Sequence, residues 1–220
     1  MRCARHLIAD RHARGGYPVP MGLQWSLSED ADTRQRKLTV DEVYAMVEAG
    51  IIGEDERLEL IDGVLVEMSP KNIRHERFKN LIAGWFVRQL ARPLEAWVET
   101  TVRLSDHSYV EPDITIFRYD PRMEKVTGAE CELVIEVANT SLRHDQVIKV
   151  PKYAEYRLRE YWLVNTQAET VTVHRRSDGN GWAEASSYPF DTTLHPLFAP
   201  EFAVNIAGIV GPTDPSEERT

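Results

Sequence analysis

Leu133-Val134-Ile135-Glu136-Val137 is the stretch that decides how this chain is read. Leucine, isoleucine and two valines mark a strand covered on at least one face. Glu136 interrupts it. A buried carboxylate costs several kcal/mol unless it is paired or holds a metal. The alternative is a Glu on the solvent face of an edge strand. Upstream lies Pro112-Asp113-Ile114-Thr115-Ile116-Phe117. Pro112 has no N–H to give a ladder, so it belongs at a strand's start and puts Asp113 at a sheet end. A capping role in a turn is the alternative there. If the two runs pair as neighbours, both carboxylates face one point. Downstream, Lys149 lies in the helix-like stretch Asp145-Gln146-Val147-Ile148-Lys149. Its ammonium either overlooks the sheet end or pairs with Asp145 at i, i+4 on a helix surface. Two carboxylates with one lysine suit a hard divalent cation and an attacking water, which is equipment for hydrolysing a phosphodiester.

Composition bounds this reading. At 220 residues the chain suits one domain with a sizeable core. With 42% hydrophobic and 28% charged residues it has the make-up of a soluble globular protein. No apolar run approaches the ~20 residues of a membrane span. The two cysteines, Cys3 and Cys131, form neither a metal knuckle nor a disulfide framework, so a reducing cytoplasm is the expected location. A net charge of −9 counts against wide, non-specific binding of nucleic acid, which rests on Lys and Arg contacts to phosphates. It leaves room for a nuclease, because carboxylates awaiting a metal add negative charge and a homodimer can gather basic residues in one cleft.

Residues 1–36 read as a flexible tail, rich in Arg, Gly, Asp and Ser, without the apolar core of a secretory signal. Met21 is an alternative start, which would make residues 1–20 an extension. Residues 211–220 read as a second, disordered tail, leaving 37–210 as one domain. That domain opens with Thr39-Val40-Asp41-Glu42, a capping box, and its first helix stops at Gly50. Leu58 to Met68 contains Asp62-Gly63 between apolar runs, the signal of a hairpin. Residues 73–91 have helical spacing, with Phe78, Leu81, Ile82, Trp85, Phe86 and Leu90 on the apolar side. Strands are predicted over about 96–104, 113–118 and 132–138, and a helix over 143–157 with Pro151 near its middle. A buried strand at 161–165, a half-exposed one at 170–174 and a last one near 182–188 follow. The fold class is α/β (α+β), with a central mixed sheet flanked by helices.

These segments carry a resemblance. Pro112-Asp113, Leu133 to Val137, Asp145 to Lys149, Tyr153 and Glu160-Tyr161-Trp162-Leu163-Val164 resemble the Uma-two family, whose members are regarded as restriction endonucleases. Leu58 to Gly63, Met68-Ser69-Pro70 and His75 are similar to that family's opening segment, so the likeness spans about residues 38–207. It implies the PD-(D/E)XK superfamily, a restriction-endonuclease-like fold, and a Mg²⁺- or Mn²⁺-dependent endonuclease acting on nucleic acid, with DNA the expected form. Metal would sit on Asp113 and Glu136. The superfamily's lysine stands two residues after the Glu, where this chain has Ala138, and Lys149 matches the relocated lysine of the family. Glu59 matches a further acidic position, either a metal ligand, direct or through water, or a hairpin surface residue. His75 matches a histidine at a helix start, with capping, substrate contact or a structural role open. Lys152, Arg143, Arg157 and Arg159 are candidates for phosphate contacts or for solvated surface. Ala138-Asn139-Thr140-Ser141 and Arg157-Leu158-Arg159 depart from the family's serine-rich and Gly-apolar-Pro stretches. A fold kept without catalysis, serving as a binding module, is the rival reading.

Overall fold

Thr39 opens the first helix as the capping box requires. Its side chain accepts the Glu42 N–H at 3.2 Å, and the Glu42 carboxylate accepts the Thr39 N–H at 2.9 Å. The computed structural model describes residues 36–53, 55–68, 70–139, 142 and 145–212, apart from the side chain at 145. They fall in one compact unit that starts at Arg36. The predicted tails lie outside the described residues, except for position 36 of the first and 211 and 212 of the second.

Helix α1 (Val40–Glu48) buries Val40 and Val43 against Ile52, Leu60 and Tyr109. The hairpin β1 (Leu58–Ile61) and β2 (Val64–Glu67) turns through Asp62 and Gly63, with φ of 51° and 80°. Both values are positive, as the primed hairpin turn demands. Helix α2 (Ile73–Gln89) is capped by Asn72, whose side chain accepts the His75 N–H at 2.9 Å. Then come β3 (Leu94–Val98), β4 (Val102–Ser105), β5 (Ser108–Val110), β6 (Ile114–Arg118), β7 (Val126–Thr127) and β8 (Cys131–Ala138).

A π-helical turn (Asp145–Lys149) leads into α3 (Val150–Glu155), and β9 (Glu160–Asn165), β10 (Thr170–Ser177) and β11 (Trp182–Pro189) follow. The chain ends in β12 (Thr193–Leu194), β13 (Val204–Asn205) and α4 (Ile206–Val210).

Six strands make the central sheet in the order β11-β10-β9-β8-β6-β3. β8 and β9 are parallel and the other pairs antiparallel, so the sheet is mixed. β8 is buried along its whole length. Its odd-numbered residues Leu133, Ile135 and Val137 pack with Phe78, Ile82 and Phe86 of α2. Val134 and Ala138 pack on the other side with Tyr153 and Leu158. A second sheet, β2-β1-β5-β4-β7, holds the hairpin.

Three expectations change. The run at 96–104 is two strands in two sheets, because the backbone turns out of line at Glu99, with φ of 49°. The helix expected over 143–157 is α3 plus a π-helical turn, and Pro151 lies in the first turn of α3 rather than mid-helix. A proline there has no N–H for the carbonyl of residue 147, which favours wider winding just upstream. Finally, β11 is not the last element, since β12, β13 and α4 come after it.

Candidate active site

β6 and β8 run antiparallel with Ile114 opposite Ile135. That register brings Asp113, just before β6, alongside Glu136. The carboxylates interlock through the backbone. Asp113 Oδ2 accepts the Val137 N–H at 2.8 Å, and Glu136 Oε2 accepts the Asp113 N–H at 3.3 Å. Asp113 is 3% exposed and Glu136 4%, so neither is a surface carboxylate. Each therefore requires partners.

Lys149 supplies one of them. It ends the π-helical turn, and its Nζ lies 2.9 Å from Glu136 Oε1 and 3.1 Å from Glu59 Oε1. Lys149 and Glu59 are themselves buried. Tyr153, one turn on, donates its hydroxyl to the same Glu136 oxygen at 2.9 Å. Burial, then the charges of Glu136 and Glu59, push the Tyr153 phenol well above its ordinary value, so it remains a donor. Glu59 Oε1 also accepts the Glu111 N–H at 3.0 Å, tying the hairpin to the start of β6.

Asp113 has its own side-chain partners. His75 Nε2 lies 2.9 Å from Oδ2 and Lys71 Nζ 2.8 Å from Oδ1. Burial acts to raise the carboxyl's pKa, but the bonds and charges of His75 and Lys71 outweigh it and hold the group below the usual carboxylate range. Lys71 also bonds Glu99, which Lys79 reaches at 2.7 Å and Arg57 at 3.5 Å. Burial opposes ionisation of Glu99 too, yet the lysine bonds bring its pKa down to about 2. Lys79 in turn bonds Glu76 at 2.7 Å.

The structure thus draws Asp113, Glu136, Lys149, Glu59 and His75 into one network. The sequence reading missed Lys71, Lys79 and Glu99, and had given Tyr153 no role. Lys79 had a signal: with His75 it continues the stripe of Phe78, Ile82 and Phe86 on α2, where a lysine is out of place. Lys71 and Glu99 had none, because their partners lie 28 and 42 positions away in sequence.

Lys152 sits beside the network rather than in it, bonded to Asp62 at 2.6 Å and Glu155 at 2.7 Å. Arg143 lies outside the described residues. Arg157 does not join the site. It follows α3 at the opposite end of β8, with Arg118, Glu132 and Arg159. The reason is directional: α3 carries the chain from Lys149 back toward the start of β9.

Carboxylate oxygens are the donors hard divalent cations prefer. Among the described residues the network comprises five carboxylates (Glu59, Glu76, Glu99, Asp113, Glu136) and four cations (Arg57, Lys71, Lys79, Lys149). Among the described residues, however, no group of three or more His, Cys, Asp or Glu is arranged to hold a metal ion. Lysine ammoniums lie against the oxygens a metal would use. The donor set fits such an ion in kind, and taking one up requires the ammoniums to yield.

No curated protein matches the chain. A solved structure from Anabaena variabilis, described as "a putative nuclease belonging to DUF820", shares 20% identity and superposes with a TM-score of 0.62. The match covers 79% of this chain and 97% of that one. The likeness establishes the fold, a restriction-endonuclease-like α+β arrangement. The family described as "Uma2: Putative restriction endonuclease" matches residues 40–207, more than three quarters of the length. On that extent of match, the chain belongs to the Uma2 family.

Proposed function

We propose that the chain is a metal-dependent endonuclease hydrolysing phosphodiester bonds in DNA, with residues 37–210 as its catalytic domain. The observation that carries this reading is the interlock of Asp113 and Glu136 under the Lys149 ammonium. Asp113 and Glu136 would hold Mg²⁺ or Mn²⁺, with Glu59 as a further ligand, direct or through water. Such an ion, when bound, supplies a water of lowered pKa and a clamp on the scissile phosphate. Lys149 holds a proton at Nζ beside Glu136, where it can orient the attacking water and offset charge building on phosphorus. Tyr153 fixes the Glu136 oxygen that Lys149 shares. His75 and Lys71 position Asp113 and keep it ionised. Lys71 and Lys152 would contact substrate phosphates, with His75 a further contact. A cytoplasmic homodimer completes the proposal. The buried, unpaired Cys131 is compatible with a reducing compartment, and size-exclusion chromatography tests the dimer.

The test is cleavage of plasmid and of single-stranded DNA and RNA with Mg²⁺, Mn²⁺ or EDTA, by wild type and by Glu136→Gln. Wild type should cut with metal and not in EDTA, and the variant should fall to background while keeping its circular dichroism spectrum. Equal cleavage by the variant sinks the assignment. A second reading, a catalytically silent binding module, draws on the lysines that already pair the carboxylates. It gains if Mg²⁺ and Mn²⁺ leave the melting temperature unchanged, since binding to the native state must raise it.

A further inference from the structure

At the end of β8 remote from Asp113 lies a cavity of about 570 Å³ lined by Arg118, Arg157, Arg159, Arg176, Glu132 and Phe198, among others. Four guanidiniums line it on a chain of net charge −9; Arg176 Nη1 pairs with Glu184 at 2.7 Å, and two of the others share one carboxylate. The carboxylate is buried. Glu132 accepts Arg118 Nε and Arg159 Nη1, each at 2.7 Å. Each arginine therefore has further N–H groups on its planar fork. Two of the other cations stand on strained backbone. Arg157 and Arg176 have φ of 56° and 55°, the left-handed region that favours glycine. The Arg157 guanidinium lies over Gly179, where a Cβ would come within 3.1 Å of its Nε. Holding arginine at two such positions around one cavity costs stability, and strain of this kind gathers at functional sites. The volume lies within the range of small-ligand pockets. Guanidinium forks match phosphate oxygens, and Phe198 with Leu197 supplies an apolar wall for a ring.

We infer that this cavity is a second binding site, for a ligand of nucleotide size bearing a phosphate. It stands apart from the Asp113–Glu136 reading and needs no metal. The phosphate belongs either to a free mononucleotide or to the 5′ end of a strand.

Calorimetric titration in EDTA tests it, with AMP, adenosine, sulfate and a 5′-phosphorylated trinucleotide as probes. The variant is Arg157→Gly with Arg176→Gly, which relieves the backbone strain, so the melting temperature should hold or rise. AMP should bind and adenosine should not, and the double variant should weaken AMP at least tenfold. The trinucleotide binding more tightly than AMP assigns the site to strand ends, and the reverse assigns it to free nucleotides. No heat with either phosphate probe, sulfate binding as well as AMP, or an unaltered affinity in a folded double variant overturns the inference.

Discussion

Replacing Lys149 by methionine keeps the length of the side chain and removes its charge. Glu136 and Glu59 then face each other's neighbourhood without the ammonium that lies 2.9 and 3.1 Å from them. All three side chains are at most 6% exposed, so water cannot take the lysine's place. Breaking a buried ion pair by removing one partner costs roughly 3–5 kcal/mol. For a domain of this size each kcal/mol is worth about 2–4 °C, which gives a fall in melting temperature of roughly 6–20 °C. Circular dichroism melts in EDTA measure it. Adding Glu136→Gln to Lys149→Met should recover part of the loss, because an amide does not need the ammonium, with a coupling of about 2 kcal/mol. Millimolar Mn²⁺ should stabilise Lys149→Met more than wild type, since the ion no longer competes with the amine. A Lys149→Met protein that melts with wild type, or purely additive losses in the double variant, would refute the claim that this lysine neutralises the two acids.

Three further outcomes are expected. Glu99 has a depressed carboxyl pKa, 4.5 falling to about 2, so its contribution to stability is present above pH 4.5 and lost as pH falls toward 2; Asp113 acts in the same direction. Acid denaturation of Glu99→Gln should therefore be shallower than that of wild type over this window. Gly63→Ala should cost about 2 kcal/mol in urea unfolding, because φ is +80° and the new Cβ would meet Lys37 Cβ at 2.4 Å and its Cα at 2.9 Å. In a Cys3→Ser background a thiol reagent should modify nothing until the protein unfolds, because burial pushes the Cys131 thiol up to about 12.

Local signals were legible where one residue type answers one geometric need. Thr39 and Glu42 cap α1, Asp62-Gly63 makes the hairpin turn, and Pro112 marks the entry to β6. Glu136 was legible for a different reason, as a charge the surrounding run could not solvate. The break at Glu99 was not, because β3 and β4 both look like strands and nothing local says that they belong to different sheets. The far cations were hidden for a related reason. Lys71 reaches Asp113 only because the chain before α2 returns to the start of β6, a fact of topology rather than of spacing. Arg157 was a candidate for phosphate contact or for solvated surface, and the direction of α3 takes it to the other end of β8.

That direction links the two charged places. Glu132 and Glu136 are four residues apart on β8, about 13 Å from one another, with a bulge at Glu132. Two buried carboxylates on one strand would ordinarily be too costly to keep. The α3 connection meets the need at both ends. Lys149 and Tyr153 enter from its start and bond Glu136, while Arg159, beyond its end, bonds Glu132. Val134 between them stays in the apolar core with Tyr153 and Leu158. The contrast in cation matters for what each end can do. A lysine is a point charge that can yield its place to a divalent ion or turn to a water. An arginine fork holds its carboxylate through one nitrogen and still presents donors to a second anion. One strand thus supports a site suited to chemistry at one end and a site suited to recognition at the other.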